Sequence, residues 1–188
     1  MPKLKDIKPN GNLTMDKLRN IPFQWGKNAL RINYDSEAGY FETAQGNRVE
    51  IVRLLQDTLK YQLYNLETGA IQSASEEFFN QFNIDISYNC FGYCFGNSKC
   101  WIPNPEQIIR DEYEECHANE AEVIVFLEYV GINDIGQNQF NYSHAVRLNE
   151  DGTVSFKPGI NQLVENANRN EAIHTYNYNR ELYLKKRE

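Results

Sequence analysis

Asn89-Cys90-Phe91-Gly92-Tyr93-Cys94-Phe95-Gly96 is the stretch whose reading decides what kind of fold this chain builds. Acidic and Asn-rich text (Asn83, Asp85, Asn89) stops there, and Cys90 opens a short run of small and aromatic residues that predicts a helix. A cysteine in the first turn of a helix faces unpaired backbone donors and the positive end of the dipole, which stabilises a thiolate. The same donors suit the oxyanion of a tetrahedral intermediate. A plainer role competes, because free cysteine is among the most buried residue types. Cys94, on the same helical face and flanked by Phe91 and Phe95, fits that plainer role.

A nucleophilic cysteine needs a base. Later in the chain, Ser143-His144-Ala145-Val146-Arg147-Leu148 reads as a strand on which His144, Val146 and Leu148 share one face. A histidine on an apolar face is more often packed core than catalyst. Of the other two histidines, His117 sits beside Cys116 in an acidic run and reads as exposed, while His174 in Ile173-His174-Thr175-Tyr176 is the real competitor. His144 is the favoured partner of Cys90, taking the thiol proton and later returning it to the leaving amine.

These motifs, with Gly96, Trp101-Ile102-Pro103, an acidic helix, a hydrophobic strand, Asp151-Gly152 and Lys157-Pro158-Gly159, resemble a bacterial domain family. Its members carry an Asn-Cys helix, a Trp-Pro segment, a His-Ala strand and a Ser-Lys-x-Gly turn. That family is similar in turn to the papain-like cysteine hydrolases, among them NlpC-type amidases, effector deamidases and transglutaminase relatives. The resemblance runs from Asn89 to the C-terminus. It implies an α+β, papain-like cysteine-hydrolase fold, with a catalytic helix packed on an antiparallel sheet, over residues 75–188. A small N-terminal β extension would occupy residues 1–74. It further implies cleavage of an amide bond through a Cys90-His144 dyad by a peptidase, a peptidoglycan amidase or a glutamine deamidase, an effector or toxin in character. The substrate would be a protein or peptide, and no cofactor or metal is expected. In such enzymes a side-chain amide upstream of the cysteine completes the oxyanion hole; Gln81 and Asn83 are the candidates beside Cys90 itself. Tyr93 stands where members carry a small residue, and Phe156 takes the place of the third polar group. That departure keeps a second reading open: a papain-like binding or interaction module without turnover.

Hairpin geometry bears on the third group. Leu148-Asn149-Glu150-Asp151-Gly152-Thr153-Val154 reads as a three-residue loop with Gly152 in the left-handed position, pairing Leu148 with Val154. Continuing the ladder sets Ser155 and Lys157 on the face of Arg147, away from His144. Asn161, just past the strand, is the first candidate to orient His144, and Ser155 becomes one only after a one-residue register slip.

The whole chain sets further bounds. At 188 residues, 41% hydrophobic and 24% charged, it is an ordinary globular composition with room for one sizeable core. A net charge of -7 argues against a broad nucleic-acid or anionic-membrane surface. Met1 to Lys8 lacks the apolar centre of a signal peptide, so the chain is expected to be made soluble in the cytoplasm, which is compatible with delivery by a specialised secretion system. A zinc site on Cys90, Cys94, Cys100 and Cys116 or His117 is poorly spaced. There is no phosphate-binding glycine loop and no serine nucleophile elbow.

Elsewhere, Ala29 to Tyr34 and Tyr40 to Ala44 read as a hairpin around Asp35-Ser36-Glu37-Ala38-Gly39, with a second turn at Gln45-Gly46-Asn47 and strands at Val49 to Leu54 and Lys60 to Tyr64. Asn10-Gly11-Asn12 reads as a turn. Ser75-Glu76-Glu77 starts a helix, Pro105-Glu106-Gln107 another, and Glu120 to Val130 is the strongest strand. Gly131 to Tyr142 is a polar loop or long hairpin, and Ala172 to Leu184 a closing strand.

Overall fold

The computed structural model describes residues 3–17, 28–65, 67–73, 85–159, 162–170 and 178–188. The N-terminal part is a five-stranded antiparallel sheet of β1 (Lys5–Lys17), β2 (Asn28–Glu42), β3 (Arg48–Leu54), β4 (Lys60–Asn65) and β5 (Ile71–Ser73). The strands expected at Val49 to Leu54 and Lys60 to Tyr64 form, as does the turn at Gln45-Gly46-Asn47. The turn expected at Asp35 to Gly39 does not. β2 continues through it because both of its edges are paired there: β1 runs along one, while on the other Asn28–Asn33 pair with β4 and Ser36–Glu42 with β3. Gly39 serves close approach rather than a turn, since a Cβ there would lie 2.9 Å from the carbonyl oxygen of Lys5. Asn10-Gly11-Asn12 likewise lies within β1, next to a register shift between Pro9 and Gly11.

The second part holds two short helices, α1 (Cys90–Phe95) and α2 (Glu106–Glu112), followed by β6 (Tyr113–Glu115), β7 (Val123–Ile132), β8 (Asn138–Leu148), β9 (Val154–Phe156), β10 (Val164–Ala167) and β11 (Arg180–Lys186). These strands form an antiparallel sheet in the order β10-β9-β8-β7-β11-β6. β7 is central, as its near-continuous β-branched run requires, and Val123 to Leu127 are buried at every position. The Leu148–Val154 turn has the expected register, with Gly152 at φ 85° and Asn149 donating to Thr153 O at 2.8 Å. Residues 133–137 turn between β7 and β8, so the polar stretch after Gly131 is the end of a long hairpin.

The papain-like α+β fold is therefore replaced by an antiparallel two-sheet β architecture with only short helices among the described residues. The physical reason lies in the helix stops. α1 ends after six residues because Asn97 and Ser98 take positive φ and the Ser98 N–H turns back to Gly92 O at 3.0 Å. The acidic segment after Pro105 stays helical for only seven residues before Tyr113 pairs with Lys186 in the sheet. None of the described helices is long and apolar enough to cross a membrane.

The boundary expected near residue 74 separates two sheets but not two cores. Phe41, Val49 and Ile51 of the first sheet share one buried cluster with Cys90, Phe91, Cys94, Ile108, Val123, Val125 and Ala145. Backbone bonds between Val52 and Trp101 (2.8 and 2.9 Å) and a contact from Asn47 Nδ2 to Asp111 (2.8 Å) tie the parts together. The other face of the six-stranded sheet has its own core, of Ile124, Phe126, Val146, Val154, Phe156 and Ala167.

α1 packs unusually close to the segment after it. A Cβ on Gly92 would lie 1.9 Å from the carbonyl oxygen of Cys100, against backbone that has no room to yield. Ala in place of Gly inside an exposed helix normally stabilises by roughly 1 kcal/mol. Here Gly92→Ala is expected to destabilise by about 3 kcal/mol, read as a lower midpoint in urea unfolding; a neutral or stabilised variant would refute this packing.

Candidate functional site

The site around Cys90 begins with Asn89. Its side-chain oxygen accepts from the N–H of Gly92 (2.8 Å) and of Ile102 (3.1 Å), while its amide donates to Ile102 O (3.0 Å). One carboxamide thus caps α1 and fixes the chain that follows it. Cys90 is then the first helical residue and is almost fully buried, with 8% of its surface exposed. Burial pushes its thiol up to about 11, and the backbone N–H groups of Ala145, Phe91 and Cys90 itself and the charge of Lys157 only partly offset this.

His144 is on β8 but on the wrong side of it. Side chains alternate along a strand: Ala145 joins the core that holds Cys90, whereas the His144 ring stacks on Phe126 (6.1 Å between centroids) and meets Phe156 edge-on (5.8 Å), both of the opposite core. The structure thus directs Cys90 and His144 to opposite faces of the six-stranded sheet. Burial also takes the imidazole down to about 3, so it is neutral at ordinary pH.

The other expected site residues are distributed as follows. Ser155 pairs in register with Arg147, away from His144, and its oxygen accepts from Asn149 Nδ2 (3.1 Å) and from the Asn166 N–H (3.3 Å). Asn161, Gln81, Asn83 and the competing His174 lie outside the described residues. Cys90, Cys94 and Cys100 are buried and His117 is exposed. No three His, Cys, Asp or Glu side chains among the described residues are grouped to hold a metal ion.

Sequence reasoning passed over Lys157, which is completely buried. Its Nζ donates to Asp85 O (2.6 Å) and Gly159 O (2.8 Å) and sits 4.9 Å from the centre of the Tyr88 ring. The signal was present in the ladder, which set Lys157 on the face of Arg147, away from His144. Its ammonium anchors the chain before α1 to the turn after β9. Comparison with protein-family models, with curated proteins and with solved structures finds no match.

Two measurements follow from this placement. Mass-spectrometric alkylation of Cys90 in the native protein is expected to be slow and to climb only towards pH 11, with His144→Leu leaving the profile unchanged; ready reaction below pH 8 that vanished in His144→Leu would re-establish a dyad. The second concerns acid. The unfolded chain protonates this ring near 6.5 and the folded chain only near 3, so unfolding takes up a proton between those values and stability falls as pH drops through that interval. The loss attributable to His144 should reach roughly 4 kcal/mol at the acid end, and denaturation curves of His144→Leu should lack it.

Proposed function

We propose that the chain is a protein-interaction module in which Cys90 and His144 are structural, and that the end of the β7–β8 hairpin is its contact element. The observation that carries this reading is where apolar surface is left uncovered. Of the seven exposed large hydrophobic side chains among the described residues, Tyr129, Val130, Ile132 and Ile135 belong to this one hairpin, and Ile135 is 77% exposed. Scattered surface hydrophobes are ordinary, but these four fall within seven residues at the end of one hairpin, a concentration of the kind that marks a contact site.

The hairpin end is also preorganised. Asn133 Oδ1 accepts from the N–H groups of Ile135 (3.1 Å) and Gln137 (2.9 Å), and Gly136 takes φ 80° to close the turn. Tyr129 packs edge-on against Phe140 at 5.8 Å. A rigid tip loses little conformational entropy on docking. Between Val123 and Val146 there is no Lys or Arg, while Glu128 and Asp134 are acidic. The complementary partner is a protein with an apolar cleft rimmed by Lys and Arg; an anionic bilayer would repel the same surface.

Amide-bond hydrolysis by Cys90 is the second reading, and the three backbone N–H groups that favour its thiolate are the observation on its side. One experiment separates the two. Proteins captured by the immobilised chain are purified and titrated against wild type, Cys90→Ala and an Ile132→Ser/Ile135→Ser double variant. The expected result is equal affinity for wild type and Cys90→Ala, with a loss of about tenfold or more in the double variant at unchanged thermal stability. Cys90-dependent cleavage or deamidation of the bound protein, or full binding by the double variant, would overturn the proposal.

A further inference from the structure

One end of the six-stranded sheet opens on a cavity of about 360 Å³, within the size range of small-molecule sites. Buried Cys94 and Phe95 of α1 line its base, and Arg147, Lys186, Glu112 and Glu122 surround it. The register explains the gathering. Arg147, next to last in β8, lies opposite Val123 at the start of β7, and Lys186 ends β11 opposite Tyr113 at the start of β6, directly after Glu112.

Arg147 is held ready for a ligand. Its guanidinium lies 4.6 Å over the Tyr93 ring, and Nη2 donates to Tyr93 O at 2.8 Å, which fixes the plane of the fork while other donors remain to be used. No carboxylate among the described residues reaches ion-pair distance of it, although Glu112 and Glu122 line the same space. Charges of both signs therefore face one half-enclosed volume with no ion pair between them among the described residues, and Glu112 Oε1 accepts only from the Ala44 N–H (2.9 Å) among the hydrogen bonds seen there. A molecule carrying a carboxylate at one end and an ammonium at the other would satisfy both. β8 and β6 stand three strands apart, about 14 Å at the usual strand spacing. After the side chains reach inward, that gap suits a dipeptide better than a free amino acid.

We propose that this cavity binds a short zwitterionic peptide, its carboxylate on the Arg147 fork and its ammonium towards Glu112 at the β6 side. The planar guanidinium accepts a carboxylate through two parallel bonds, which supplies orientation as well as affinity. The apolar base formed by Cys94 and Phe95 takes small aliphatic side chains. The site is separate from the hairpin contact and does not depend on it.

Titration of the wild-type protein with L-alanyl-L-alanine, followed by amide NMR shifts, tests this. Saturable shifts at Tyr93 and Arg147 are expected. N-acetylation or C-terminal amidation of the dipeptide should each weaken binding by about tenfold or more, the range of a charged hydrogen-bonded contact. Arg147→Gln should abolish the response to the free dipeptide, and Glu112→Gln/Glu122→Gln should remove the difference between free and acetylated dipeptide. If Arg147→Gln unfolds, the blocked dipeptides on the wild-type protein decide the matter alone. Absence of saturable shifts up to about 10 mM, or equal affinity for the free and amidated dipeptides, would overturn the proposal.

Discussion

The rest of the structure depends on the Asn89 carboxamide. It satisfies the N-terminus of α1 through Gly92 and both backbone groups of Ile102, and so determines where residues 100–102 run. Trp101, between those anchors, exchanges two backbone bonds with Val52 of the first sheet and donates its indole N–H to Ile86 O at 2.6 Å. The first sheet is thereby tied by main chain to the segment that links α1 and α2. Gly92 is part of the same device, since the approach of the Cys100 carbonyl leaves no room for a Cβ. Leaving those Ile102 groups buried and unpaired would cost about 1–3 kcal/mol each.

The same closeness makes Cys90 a poor nucleophile at rest. With its thiol near 11 and His144 near 3, moving the proton from sulfur to imidazole lies uphill by roughly 11 kcal/mol before any attraction between the charges. An ion pair recovers such a cost only at close range, and here the two side chains belong to cores on opposite faces of a sheet. The backbone donors around Cys90 act in the opposite direction, yet burial is the larger influence on it. Their presence is accounted for by a helix start pressed against β8.

What was legible in the sequence was mostly local. The Leu148–Val154 turn, its register and the centrality of Val123 to Leu127 followed from a left-handed glycine and a β-branched run, both of which act within a few residues. From the same ladder it was legible that Ser155 faces away from His144. What failed was non-local. Asp35 to Gly39 has the composition of a turn, but two neighbouring strands pair with it on both sides, and pairing outweighs propensity. The run after Cys90 is helical as its sequence predicts, yet its six-residue length is determined by the left-handed turn at Asn97 and Ser98 and by the chain returning over Gly92. Cys90 and His144 looked like a dyad because their order along the chain was visible, whereas the face each would take depended on which side α1 covered.

β8 shows why these roles stay apart. Along one strand, His144 enters the far core, Ala145 supports α1, and Arg147 reaches the cavity at its end. Its beginning, Asn138 to Asn141, pairs with the exposed end of β7 at the hairpin. The side-chain period of two assigns neighbouring residues to different environments, so a change at Arg147 need not disturb the His144 packing on the opposite face. The centre of the strand is constrained by two cores at once and tolerates little; its two ends carry the solvent-facing chemistry. Exposed apolar side chains of the hairpin lie towards one end of the strand and the charged cavity lies at the other, so substitution at either margin leaves the buried Cys90 and His144 in place.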